Sequence, residues 1–266
     1  GYWRNDGKPT WTDRANTGYA SFDDSDDQIA LSDSSALTFG TNDFTASAWV
    51  YVNDFDNKLG VLGSETNGFG LFVETDGTIS STKTNIVGES KSTGTLSTKN
   101  WHHIAYTRVY STGGSASLGT YYIDGVASGT TIDNNDYTVA SKYIGRIQST
   151  NRFDGKIAGC NYFSIPLTAS EISELYAIGK RTSISGHSQF SNCVGSWLMG
   201  AGTGDTASTI QDQTSNNNDG TVSGASIIGY NDGTVSGSPV SILIPEGSTE
   251  GRDNQGYYLS DTTLIS

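Results

Sequence analysis

The chain has 266 residues, 28 acidic against 15 basic side chains and a net charge of −13. That length can bury a sizeable core, while the acidity leaves no basic face to neutralise phosphates and would be repelled by an anionic membrane, which excludes nucleic acid and membrane surfaces as partners. No run of about 18 apolar residues is present, so no transmembrane helix is predicted. The opening residue is Gly1 and the single methionine is Met199, so the chain reads as a fragment or a processed product in which a signal peptide would not be seen. Cys160 and Cys193 are too few for a disulfide scaffold and lack the CxxC spacing of a zinc site. Whether they pair is left open. The acidity suits plain solubility, exposure to salty water, or calcium binding.

In chain order, residues 1–20 carry Gly1-Tyr2-Trp3 and Trp11-Thr12-Asp13, whose alternation of aromatic and polar side chains predicts a short strand and then a loop. Residues 19–31 predict strand, acidic turn, strand. From Phe44 to Val52, Phe44, Ala46, Ala48, Val50 and Val52 share one face and Thr45, Ser47, Trp49 and Tyr51 the other, which predicts a central strand. Strands over 59–64, 69–74 and 78–83 follow, punctuated by Asn67-Gly68 and Asp76-Gly77, pairs that favour hairpin turns. Residues 101–110, 121–126, 142–147 and 156–164 complete the set, with a further tight turn at Asp124-Gly125. Short strands at this spacing predict an all-β, two-sheet antiparallel sandwich.

One short helix is predicted near 168–178. Thr168 and Glu171 have the spacing of a capping box, Ile172, Leu175 and Tyr176 form one apolar stripe, and Gly179 stands where the helix stops. Beyond residue 183 the chain turns rich in Gly, Asn and Ser. The run Asp219-Gly220-Thr221-Val222-Ser223-Gly224 recurs at 232–237. The expected division is a sandwich over 1–183, its core at 19–178, and a segment over 184–266 that is irregular and β-rich or packed on a neighbouring chain.

The runs Phe44-Thr45-Ala46-Ser47-Ala48-Trp49-Val50, Trp101-His102-His103-Ile104-Ala105, Tyr122-Ile123-Asp124-Gly125, Ile144-Gly145-Arg146, Phe153-Asp154-Gly155-Lys156-Ile157 and Leu167-Thr168-Ala169-Ser170-Glu171-Ile172 together resemble the laminin-G-like jelly roll of the concanavalin-A-like superfamily. The resemblance covers roughly 19–178 and implies two antiparallel sheets in a jelly roll. Relatives often carry Asp-Glu-Val after the Phe-Asp-Gly-Lys-Ile run, where this chain has Ala158-Gly159-Cys160. The flanks, Gly1-Tyr2-Trp3-Arg4-Asn5-Asp6-Gly7, Trp11-Thr12-Asp13 and Ile242-Leu243-Ile244-Pro245-Glu246-Gly247, resemble virion proteins of marine tailed bacteriophages. That resemblance implies a virion surface role, as fibre or capsid decoration, in a homo-oligomer contacting other virion subunits and possible cell-surface glycans. A secreted bacterial carbohydrate-binding or adhesion module is the alternative.

No catalytic pair is read from the chain. Glycosidases of the superfamily need two carboxylates, and Glu74-Thr75-Asp76 lacks the second glutamate of their motif. His102, His103 and His187 have no triad partners in a recognisable motif, so the expectation is a non-enzymatic protein. The acidic turn is the candidate metal site. Asp23, Asp24, Asp26 and Asp27, with Asp154 as a further ligand, offer the oxygens that Ca²⁺ prefers, and the resemblance implies such a rim site; a solvated turn is the competing account. Trp49 and Trp101 read as core residues, Tyr121, Tyr122 and Tyr143 also lie on predicted strands, and no sugar site is assigned.

Overall fold

The computed structural model describes residues 18–32, 35–84, 90–113 and 115–229. Its strands are β1 (Tyr19–Asp23), β2 (Gln28–Leu31), β3 (Phe44–Val52), β4 (Leu59–Gly63), β5 (Phe69–Val73), β6 (Ile79–Lys83), β7 (Ser90–Lys91), β8 (Trp101–Val109), β9 (Leu118–Ile123) and β10 (Val126–Ile132). They continue as β11 (Tyr143–Ile144), β12 (Arg146–Ile147), β13 (Asn151–Arg152), β14 (Asp154–Phe163), β15 (Cys193–Trp197), β16 (Thr209–Ile210), β17 (Gly220–Ser223) and β18 (Ser226–Ile228). Sheet A runs β10-β9-β8-β3-β14-β1-β18, with β15 also paired to β14, and sheet B runs β16-β17-β2-β11-β4-β5-β6-β7. The named strands pair antiparallel, giving the two-sheet jelly-roll sandwich that the alternation predicts. The turns at Asp76-Gly77 and Asp124-Gly125 form as expected, with Asp124 and Gly125 both at positive φ, as a type I′ hairpin requires.

The inner faces meet in one apolar core. Phe44, Ala46, Ala48, Val50 and Val52 of β3 are buried against Leu59, Val61, Phe69, Leu71 and Val73 of sheet B. Phe44 stacks on Phe39 at 4.4 Å and meets Phe69 edge-on at 4.9 Å. Arg108 is fully buried beside this aromatic cluster and donates to the carbonyls of Gly40, Asn42 and Asn135.

A second, smaller core lies on the outer face of sheet A. Helix α1 (Ala169–Ile178) forms where predicted, with both bonds of the Thr168/Glu171 capping box and Gly179 as its C-cap. Its Ile172 and Leu175 pack with Ala105, Tyr122, Phe163 and Leu167. The chain leading into the helix covers only the Thr45 end of β3: Thr45 Oγ1 donates to the Ile165 carbonyl and accepts from the Leu167 amide. Residues 44–48 of β3 are therefore buried on both faces, while Trp49 and Tyr51 emerge half-buried beyond the covered zone.

The described part of the segment after 183 belongs to these same sheets. β14 pairs with β3 along its length; on its other side β1 occupies residues 154–157 and β15 occupies residues 160–163. β17 pairs with β2 and β18 with β1. The sandwich thus extends past the boundary expected at 183, because strands with little periodicity of their own find long-range partners. The first copy of the six-residue repeat forms β17 and the turn that follows it; the second lies outside the described residues, as do the motifs at 1–13 and 242–247.

Candidate functional site

The acidic turn crosses the rim of the sandwich, from β1 in sheet A to β2 in sheet B. Asp24 takes a left-handed φ of 60° that reverses the chain. Asp27 folds inward, only 6% exposed, and its Oδ2 accepts the Asp23 amide at 2.9 Å. Burial, then the charges of Asp23 and Asp26, push the Asp27 carboxyl above the ordinary carboxylate range, against the pull of that amide bond. Carboxylate oxygens of Asp23, Asp26 and Asp27 all lie within 4.8 Å of one another. Two oxygens sharing a calcium ion at about 2.3–2.6 Å are at most about 5 Å apart, so the three fit one ion in donor type and spacing.

The structure does not gather all five predicted ligands at that point. The Asp24 carboxylate accepts from Asn57 at 3.0 Å. Asp154 faces Asp23 across the β1–β14 register, but its Oδ1 accepts from Asn53 at 2.6 Å. Burial raises its pKa, and the charges of Asp54, Asp24 and Asp23 add to that against the Asn53 bond. Gly224, between β17 and β18, closes over Asp26 and Asp27: a Cβ there would fall 2.2 Å from Asp27 Oδ1 and 3.1 Å from Asp26 Oδ1.

A second constellation stands on the outer face of sheet A, past the end of α1. Trp49 and Trp101 are not core residues; both are half-buried on this face, because the helix layer stops short of them. Four neighbouring strands contribute. Tyr19 comes from β1, Lys156 from β14, Trp49 and Tyr51 from β3, and Trp101 from β8. Register places Lys156 beside Tyr51 and Tyr51 beside Trp101. The Tyr51 and Trp101 ring centroids are 5.8 Å apart, and those of Tyr19 and Trp101 6.2 Å. Tyr176 of α1 stacks on Trp49 at 5.3 Å and bounds the cluster on the helix side. Sequence alternation places these side chains away from the core but holds no signal of what covers the outer face.

The histidines complete the survey. His102 does have partners: its Nδ1 lies 2.8 Å from Asp124 Oδ2 and its Nε2 2.8 Å from Ser97 Oγ. This has the connectivity of a Ser-His-Asp triad, which the sequence hid because Ser97 and Asp124 lie in unrelated loops. The Ser97 amide, however, also donates to His102 Nε2. It is therefore not free to hold an oxyanion, and this geometry serves to tie the loop to β8. His103 is fully buried with both ring nitrogens unpaired, and burial lowers its pKa to about 4, against the opposing charge of Asp124. His187 is buried and bridges the Glu171 carbonyl and the Gln189 amide. Glu74 is bound by Lys58, Lys91 and Ser80, so it is committed to the fold.

Two antiparallel sheets, an outer helix and a rim turn define a lectin-type jelly roll. Residues 23–173 match the family model of the concanavalin A-like lectin/glucanases superfamily, and the chain belongs to that superfamily. Among solved structures it is similar to a candidate carbohydrate-binding protein from Bacteroides ovatus, with 19% identity and a TM-score of 0.58 over 79% of this chain and 59% of that one. The chain therefore spans well under two thirds of that protein's length. It is also similar to a heptameric SAP-like pentraxin from Limulus polyphemus (13% identity, TM-score 0.48, 61% of this chain and 82% of that one). A third similar structure is domain 4 of an extracellular arabinanase from Geobacillus stearothermophilus (17% identity, TM-score 0.44, 60% and 87%). At these identities the likeness is one of fold. No curated protein matches the chain at a significant level. Among the described residues no helix is long and apolar enough to cross a membrane.

Proposed function

We propose that this chain is a non-catalytic glycan-binding module whose sugar site is the aromatic half of sheet A's outer face. One observation carries the reading: Tyr19, Trp49, Tyr51 and Trp101 stand half-buried together on paired strands. Aromatic faces stack on the apolar faces of sugars, and rings mounted on strands are already ordered, so little freedom is lost on binding.

Calcium is the proposed structural cofactor, held at the rim by Asp23, Asp26 and Asp27, with Asp24 and Asp154 beside them. Bound there, the ion would neutralise the repelling carboxylates. The proposed setting is the surface of a tailed-phage virion, as fibre or capsid decoration in a homo-oligomer with other virion subunits; the likeness of the flanking motifs supports it. Mass spectrometry of purified virions tests the setting, and absence of the chain from the particle would favour the secreted module instead. Glycan-array binding tests the function. Trp101→Ala should weaken the best array ligand by about 2 kcal/mol, roughly thirtyfold; unchanged binding would remove the aromatic face from the reading.

A further inference from the structure

The chain has 28 acidic and 15 basic residues, so carboxylates outnumber cations. Lys58 and Lys91 pair with Glu74, and Arg146 pairs with Glu65. Two lysines of the aromatic face form no ion pair among the described residues and lie over rings instead. Lys156 Nζ is 4.6 Å from the Tyr51 centroid and 5.1 Å from that of Tyr19. Lys180 Nζ is 5.3 Å from the Trp101 centroid and 5.5 Å from that of Trp49. Both side chains are half-buried.

Each is built into its place. Lys156 is fixed by register, between Ser21 on β1 and Tyr51 on β3. Lys180, just past the α1 C-cap, is brought in by a bulge in β14. The β3 ladder shifts between Ala158 and Asn161, and Gly159 takes a φ of +48° there. A Cβ on Gly159 would fall 2.8 Å from the Lys180 carbonyl oxygen and 3.2 Å from Trp49. Burial and the neighbouring charge of Arg181 lower the Lys180 pKa, which is the mark of an ammonium lacking a counter-ion. A ring face attracts an ammonium but accepts no conventional hydrogen bond, so N–H donors remain for an incoming anion.

Resting on the glycan reading above, we infer that this face selects acidic glycans, whose carboxylate or sulfate groups are bound by Lys156 and Lys180 while the sugar rings stack on Trp101 and Tyr51. A neutral sugar would leave two half-buried charges uncompensated; an anionic one supplies the missing partner in a chain that is otherwise strongly acidic.

The test is calorimetric binding of the full chain to three probes: a neutral galactan oligosaccharide, its sulfated counterpart and a polyuronate oligosaccharide. At least one acidic probe should bind tenfold or more tighter than the neutral one at 50 mM NaCl, with the advantage shrinking at 500 mM as screening grows. The two acidic arms separate sulfate from carboxylate recognition. The Lys156→Gln/Lys180→Gln double variant should lose the acidic preference, its affinity for the acidic probes falling to that for the neutral one, whereas Lys156→Arg/Lys180→Arg should retain the preference. Equal or tighter binding of the neutral probe overturns the inference and leaves the glycan reading standing. So does an acidic preference that survives the glutamine pair. Absence of binding to all three probes overturns both.

Discussion

Neutralising Asp27 should make the calcium-free protein more stable and deprive it of its response to calcium. Asp27 Oδ2 accepts the Asp23 amide at 2.9 Å, and an asparagine carbonyl can accept the same bond, so Asp27→Asn removes charge while keeping the turn's geometry. Its carboxylate lies within 4.8 Å of those of Asp23 and Asp26. Even at the dielectric constant of water, two like charges at that distance repel by about 0.9 kcal/mol. Relief of two such pairs, discounted for the exposure of Asp23 and Asp26, gives about 1–2 kcal/mol, or roughly 2–8 °C in Tm for a domain of this size. For the unaltered chain, calcium at a hundredfold excess over Kd adds about 2.7 kcal/mol, roughly 5–11 °C. Differential scanning fluorimetry in EDTA and in calcium reads both quantities. Both are rises in Tm, and Asp27→Asn should show the first without the second, a combination that a nonspecific loss of packing cannot imitate. A Tm that falls in Asp27→Asn, together with no calcium shift in either protein, would refute the reasoning.

Three further outcomes are expected. Arg108→Met should cost about 3–5 kcal/mol in urea denaturation, since it strips donors from three carbonyls and leaves Asp133, 3.9 Å away, without its counter-charge; a loss under 1 kcal/mol would contradict the burial. The His103 pKa is lowered from 6.5 to about 4, so its contribution to stability is present above pH 6.5 and is lost as the pH falls from 6.5 toward 4. The lost term is about 3 kcal/mol, and His103→Leu should flatten that limb of the stability profile; an unchanged slope would mean the imidazole is solvated. Cys160 and Cys193 are buried free thiols whose pKa values are raised by burial, Cys193 to about 12. Neither should react with Ellman's reagent at pH 8 in the native protein and both should react in denaturant; no reactive equivalent after unfolding would mean they are bridged.

Strands buried on at least one full face were legible in the sequence. Phe44–Val52 forms the strand its alternation predicts, the strand expected over 101–110 forms as Trp101–Val109, and the capping box placed α1. β10 was missed. It is an edge strand with little buried on either face, and Gly129, at a φ of +102°, breaks its register with β9. β15, β17 and β18 looked irregular because what makes them strands is their partners β14, β2 and β1, far away in sequence. At the rim, adjacency in the chain put the acidic turn forward as the candidate, and the fold sets carboxylate oxygens of Asp23, Asp26 and Asp27 within 4.8 Å of one another. It could not show that the left-handed Asp24 would be bound by Asn57, or that Asp154 would be held by Asn53. The aromatic face was hidden for a different reason. Alternation tells which way Trp49 and Trp101 point but not where the helix layer ends.

The closure of Gly224 over Asp27 binds together two sheet-crossing arches that lie at opposite ends of the described chain. β1–β2 and β17–β18 each cross from one sheet to the other at the same corner, strand against strand. Fraying of the later arch would therefore pry open the earlier one. Any side chain larger than hydrogen at 224 acts as a wedge between them. The corner is a clasp that joins the first strands of the described chain to its last.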